Sequence, residues 1–324
     1  MSRPREDGIV IGTLEPGPRN SIADVGVTVG HVTVERTGVT AVVPPSLPLP
    51  AGTAVLNGAG ELTGSLEIRE WGILETPVYL TATHAVGRVY DGAVSVAMAA
   101  DPRVGVDDVV IPVVGECDDS WLSDARVPHV QPGDVARAVA DATAEFEQGA
   151  VGAGAGMSCF GWKGGIGSSS RRVGEHTVGV LLLTNFGSSE QLRVDGVPIG
   201  RLLDERLDEA PDSDGSCIAV LATDAPLASQ QLERLARRAG LGLGRAGSVA
   251  HHGSGEIFVA FATATDRSFP DRELNPLFQA AVDATEEAVL CSLWAAVDTV
   301  GREGRFVRAL PREKVLELYR GRGW

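Results

Sequence analysis

Three stretches of the chain, "TVGVLLLTN" (177–185), "SCIAVLATD" (216–224) and "EIFVAFAT" (256–263), are apolar at odd and even positions alike. Strand-length runs without a polar face belong to sheets that are covered on both sides. "GVTAVVP" (38–44), "AVSVAMAA" (93–100) and "DVVIPVV" (108–114) read the same way. The covering helices are expected at 132–150, where Val135, Val139, Ala142 and Phe146 recur at helical spacing behind a Pro-Gly-Asp start, at 228–240, and at 275–300 with Pro276 near the first turn. Strands and helices mix without strict alternation, so the expected class is α/β (α+β), with layers of sheet flanked by helices. The 324 residues suffice for one large core, the proline-rich 42–52 reads as a loop, and no repeat or linker divides the chain. One continuous domain, 1–324, is expected.

The net charge of −15 repels nucleic acid and anionic membranes, so neither is expected as a partner. Cys117, Cys159, Cys217 and Cys291 are scattered without metal-ligand spacing and read as free thiols of a reducing compartment. The N-terminal stretch lacks the apolar segment of a signal peptide, and no run has the length of a membrane span. A cytoplasmic protein is expected, without cofactor or metal.

Four clusters carry candidate chemistry. Asn57, Glu61 and Glu67 stand in the glycine-punctuated "NGAGELTGSLEIREWG" (57–72), where they either position a substrate amine or satisfy the loop. "VGECDDSWLSD" (114–124) gathers Glu116, Asp118, Asp119 and Asp124 beside Trp121 after an apolar strand; such carboxylates bind a charged amine or form a solvated loop, and Trp121 favours the amine. In "GAVGAGAGMSCFGWKGGIGSSSRRV" (149–173), Lys163 and Ser168–Ser170 offer donors in a glycine-lined wall, but no P-loop triplet follows. Asn185, in "TNFG" at a strand end, either donates to an oxyanion or starts a turn.

A fifth feature to weigh with these is "GLGLGRAGSVAHHGSGEIFVAFATA" (240–264). Glycines at 240, 242, 244 and 247 lead to a lone Ser248, and the "GSG" that follows predicts a hairpin. His251 and His252 alternate in direction, and no Ser-His-Asp set is evident. A serine at a new N-terminus would carry its own base, an α-amino group with a pKa of roughly 7.7–8.0.

At these residues the chain resembles the L-aminopeptidase/D-esterase family, self-cleaving N-terminal-serine hydrolases that include the β-peptidyl aminopeptidases. The resemblance runs in order through "VGHVTVERTGVTAVVP", "NGAGELTGSLEIREWGILETPVYLTATHAVG", "PVVGECDDSWLSD", "GMSCFGWKGGIGSSSR", "LLLTNFG", "VLATDAPL", "GLGRAGSVAHHGSGEIFVAF" and "ATEEAVL". It implies a four-layer α/β/β/α sandwich like that of N-terminal-nucleophile hydrolases, with different connectivity. It also implies cleavage between Gly247 and Ser248 into chains 1–247 and 248–324, with Ser248 the nucleophile and Asn185 an oxyanion donor. A late-helix carboxylate is expected, Glu286 or its neighbour Glu287, with Glu286 the choice. Glu116, Asp118, Trp121 and Glu61 are the expected substrate-binding set. Asp118 stands where many relatives carry a tyrosine and, while ionised, offers no neutral hydroxyl donor. The implied activity is release of N-terminal residues from small peptides, amides or esters by a homo-oligomer, a tetramer by analogy. The alternatives are an acyltransferase resembling ornithine acetyltransferases, which use threonine, and an uncleaved non-enzymatic relative.

Overall fold

The computed structural model describes residues 2–203, 215–266 and 268–321. In chain order the strands are β1 (Thr28–Val34), β2 (Thr37–Val43), β3 (Leu49–Gly58), β4 (Ile73–Leu74), β5 (Val78–Ala82), β6 (Val113–Cys117), β7 (Ser158–Cys159), β8 (Trp162–Lys163), β9 (Ile166–Val173), β10 (His176–Asn185), β11 (Ser216–Thr223), β12 (Gly255–Ala262), β13 (Thr299–Val300) and β14 (Phe306–Val307). The helices that matter are α1 (Ser65–Trp71), α2 (Val86–Ala100), α3 (Pro132–Ala140), α4 (Ile199–Leu203), α5 (Ser229–Ala236), α6 (Arg238–Ala246), α7 (Leu274–Trp294) and α8 (Arg312–Arg320).

A four-stranded sheet, ordered β1-β2-β5-β6, lies over a six-stranded sheet, ordered β4-β3-β12-β11-β10-β9. Alternating residues of each central strand serve opposite faces. Val180, Leu182, Ala219, Leu221, Phe258 and Ala260 meet α5, α6 and α7, whereas Leu181, Leu183, Ile218, Val220, Val259 and Phe261 meet Val42, Val78, Leu80 and Val113 of the smaller sheet. On that sheet's outer face Val39, Ala41, Tyr79 and Val114 pack on α2 and α3 through Val89, Ala93, Val135 and Ala138. The layers therefore run α/β/β/α, and the strands without polar faces are the ones covered twice.

Four expectations change. Residues 93–100 are the end of α2, with Val89, Gly92 and Ala93 inward at helical spacing, and of 108–114 only Val113 and Val114 belong to a strand. The helix expected over 132–150 stops at Ala140. The hairpin at Ser248 is replaced by helix and loop. The glycine-rich approach is helical through Ala246, and β12 pairs in parallel with β11 rather than antiparallel with a strand just before it. Parallel neighbours require a crossover, and α5 with α6 supplies it. Gly242 is needed for that crossover to pack, since a Cβ there would lie 2.5 Å from Thr285 Cβ on α7.

Candidate active site

The site is built at one end of the six-stranded sheet. Across it the register aligns Asn185, Ser216, Gly255 and Gly58, and one residue inward Thr184, Cys217, Glu256 and Asn57. Asn185 and the start of β12 are thus two strand spacings apart, about 10 Å. Ser248 stands just after α6, at the start of the loop that leads into β12. Gly247 ends the helix at φ +115°, and a Cβ on it would meet the Gln191 carbonyl oxygen at 2.0 Å. A side chain there is excluded by both conformation and space. Gln191 lies in the turn that follows Asn185, so the two candidate groups are joined through that contact. The Ser248 N–H donates to the Leu243 carbonyl at 3.0 Å, and its Oγ accepts from the Ala250 N–H at 3.2 Å. Ala250 has φ +49°, a left-handed conformation unusual for alanine.

The loop after Ser248 is held from both sides. Asn57 Nδ2 donates to the carbonyls of His251 (2.8 Å) and Ser254 (2.7 Å), and the Gln191 side-chain amide meets His251 Nε2 at 3.0 Å. His252 is exposed. The Ser254 hydroxyl donates to Glu256 Oε1, while Glu256 Oε2 is buried without a hydrogen-bond partner. Burial pushes this carboxyl above its ordinary range, against the Ser254 hydrogen bond. Sequence reasoning passed over Ser254 and Glu256. The only local signal was a carboxylate opening an otherwise apolar run.

Asn185 is tightly framed. Its Oδ1 accepts from the Ser158 N–H (2.9 Å), and one Nδ2 hydrogen goes to the Asp118 carbonyl (2.9 Å). A primary amide has a second N–H, and that is the donor left for a ligand oxygen.

The substrate-binding candidates divide. Glu116 is buried on β6, accepting from the Glu61 N–H at 2.9 Å and from the Thr83 hydroxyl; burial raises its pKa, opposed by those bonds. Glu61 itself is exposed, contributing its backbone rather than its carboxylate. The exposed Asp118 turns its side chain to Ser120 (2.9 Å to both N and Oγ), so the support it gives Asn185 comes from its backbone. Trp121 stacks under the Arg305 guanidinium, 4.3 Å from the ring centroid. Glu67 lies on α1, pushed up to about 7 by burial and by Glu75. Ser168, Ser169 and Ser170 are spent on structural bonds to Val180, Ala284 and Asp24.

Of the late-helix carboxylates, Glu287 is sealed with Arg171 and Asn20, each at 2.5 Å. Glu286 pairs with Arg245 Nε at 2.7 Å, beside Asp283, which takes Arg245 Nη1 at 2.6 Å. Burial raises Glu286 to about 7, against the pull of Arg245. Both carboxylates thus brace α7, one against β9 and one against α6.

The family model for peptidase family S58 matches residues 20–307. The chain belongs to this family. It is 38% identical to a β-peptidyl aminopeptidase, BapA, of Sphingosinicella microcystinivorans, over 94% of this chain and 90% of that protein. A β-aminopeptidase structure from Burkholderia sp. superposes with TM-score 0.92 at 40% identity, covering 100% of this chain and 99% of the other. The L-aminopeptidase D-Ala-esterase/amidase of Ochrobactrum anthropi, described as a prototype for the serine aminopeptidases and a new variant among the Ntn hydrolase fold, superposes with TM-score 0.90 at 36% identity, covering 99% and 98%. This S58 chain is a hydrolase of the serine aminopeptidase/amidase type with that variant fold. The acyltransferase and non-enzymatic alternatives are not favoured. Among the described residues no helix is long and apolar enough to cross a membrane.

Proposed function

We propose that the chain cleaves itself between Gly247 and Ser248 and then releases N-terminal residues from small peptides, amides or esters through an acyl-enzyme on Ser248. The observation that carries this reading is the Asn185 amide, framed so that one N–H stays available, on the segment that packs against Gly247. In self-cleavage the Ser248 Oγ adds to the Gly247 carbonyl carbon and its proton passes to the departing Ser248 nitrogen. Water then hydrolyses the ester to a Gly247 carboxylate and restores the hydroxyl. In turnover the freed α-amino group takes the Oγ proton, Asn185 stabilises the oxyanion, the leaving amine accepts a proton, and water releases the acyl group. Glu116 is the carboxylate proposed for the substrate ammonium, its burial strengthening such a pair. The names of the β-peptidyl relatives support β-amino-acid amides as substrates to try first.

Free buried cysteines support a cytoplasmic setting. A homo-oligomer, a tetramer of cleaved protomers, is supported by family analogy and by the exposed Leu66 and Trp71 on α1. Intact mass under denaturing conditions tests the central claim. Wild type should yield chains 1–247 and 248–324, whereas Ser248→Ala should stay at 33.8 kDa and hydrolyse nothing. A Ser248→Ala protein with wild-type activity would move the active site elsewhere.

A further inference from the structure

The fully buried Lys163 on β8 has no role in the steps above. Its Nζ donates to the carbonyls of Gly154 (3.0 Å), Met157 (2.7 Å) and Gly164 (2.9 Å). Three acceptors match the three donors of an ammonium; a neutral amine would leave one carbonyl unserved. The Met157 carbonyl and the Ser158 N–H belong to one peptide unit, and that N–H is the one bonded to Asn185 Oδ1. A cation on the oxygen of a peptide makes its N–H a stronger donor.

The other support of Asn185 has the opposite sign. The Asp118 carbonyl, which takes Asn185 Nδ2, shares its peptide unit with the Asp119 N–H, and that N–H lies against the Asp119 carboxylate. An anion on the N–H of a peptide makes its carbonyl a stronger acceptor. Asp119 is buried, its Cβ 2.8 Å from where a Cβ on Gly156 would stand, between the two carbonyls of Gly154 and Met157 that Lys163 grips. One of its oxygens, Oδ2, has no hydrogen-bond partner. Burial pulls Lys163 down and Asp119 up, and each charge opposes the shift in the other.

We infer that Lys163 and Asp119 are positioning residues that polarise the two peptide units flanking Asn185 and so fix its free N–H toward the Ser248 reaction centre. This rests on the proposed role of Asn185 as oxyanion donor. A device that works through that amide loses its effect when the amide is removed, and this separates it from the hold that Lys163 also has on Gly154 and Gly164.

The test is a double-mutant cycle. Lys163→Met and Asp119→Asn are each made in the wild-type and Asn185→Ala backgrounds. Self-cleavage of the freshly purified full chain is followed by intact mass, and kcat and KM of the cleaved form are measured on an aminoacyl amide. Each substitution should lower the self-cleavage rate and kcat by about 10- to 100-fold with KM little changed, as small misplacements do. In the Asn185→Ala background neither should lower them further. Equal losses in both backgrounds, or no loss in wild type, would overturn the inference while leaving the role of Asn185 intact. Should Lys163→Met fail to fold, the nearly isosteric Asp119→Asn carries the same cycle. If Asn185→Ala alone keeps wild-type rates, the oxyanion reading itself falls, and this inference with it.

Discussion

Two buried carboxylates, Glu287 on α7 and Glu256 on β12, are equally shielded from solvent and yet differ in what surrounds them. Both oxygens of Glu287 are occupied, by Asn20 and Arg171, with Arg5 a further 3.8 Å away. Glu256 has one oxygen taken by Ser254 and the other left alone next to the loop that follows Ser248. A buried charge that is fully partnered fastens elements together; one left half-partnered is costly, and such costs collect where a ligand or a reacting group completes the set. Glu287 is a clasp, whereas Glu256 keeps an oxygen open to a further partner.

Exchanging each carboxylate for its amide sharpens that contrast most. Glu287→Gln leaves Arg171 buried beside a neutral group and should cost about 3–5 kcal/mol, read as a lowered thermal midpoint. Glu256→Gln should leave stability nearly unchanged while lowering kcat by about 10²–10⁴-fold, if the carboxyl moves a proton or holds Ser254 for one that does. An active, unstable Glu256→Gln protein would break the distinction. Next in size is Asn185→Ala, for which kcat should fall by about 10²–10³-fold on the cleaved form. Unchanged turnover in a cleaved mutant would remove the oxyanion role.

The smallest effect concerns Glu286, which stands between the two types, paired with a half-exposed arginine. Its pKa is raised from the ordinary 4.5 to about 7, so the folded state binds this proton more tightly than the unfolded one. Its contribution is therefore fully present below about pH 4.5 and lost as pH rises toward about 7. Against wild type, Glu286→Gln should flatten the stability profile across that window by about 1–3 kcal/mol, measured by urea unfolding at several pH values. Parallel profiles would show that Arg245 already keeps the carboxylate ionised.

Strands 177–185, 216–224 and 256–263 were legible because burial on both faces leaves a composition that little else produces. Residues 93–100 misled for the same reason in reverse, being the apolar end of a helix whose pattern begins at Val86. The hairpin at Ser248 was a misreading of glycines that serve helix packing and a left-handed cap. A parallel partner joined through α5 and α6 leaves no local mark in a sequence. Within the candidate site, Ser248 and Asn185 were singled out through ordered family motifs, and the fold sets Ser248 at the end of the crossover and Asn185 at the end of a strand of the large sheet. The identities of Glu256 and Lys163 were plain, but their roles depend on which carbonyls and hydroxyls the fold brings to them.

The position of β12 has a consequence for how such a molecule ages. This strand and α7 both follow Ser248, yet β12 lies in the middle of the large sheet, between β3 and β11. With the proposed cut between Gly247 and Ser248 made, the centre of that sheet would belong to a separate polypeptide. Unfolding remains a first-order event, but recovery becomes an encounter between two molecules, slower as the solution is diluted. The cut would thus turn reversible denaturation into hysteresis, and the working lifetime of the mature protein would be governed by the barrier to opening rather than by the depth of the folded well.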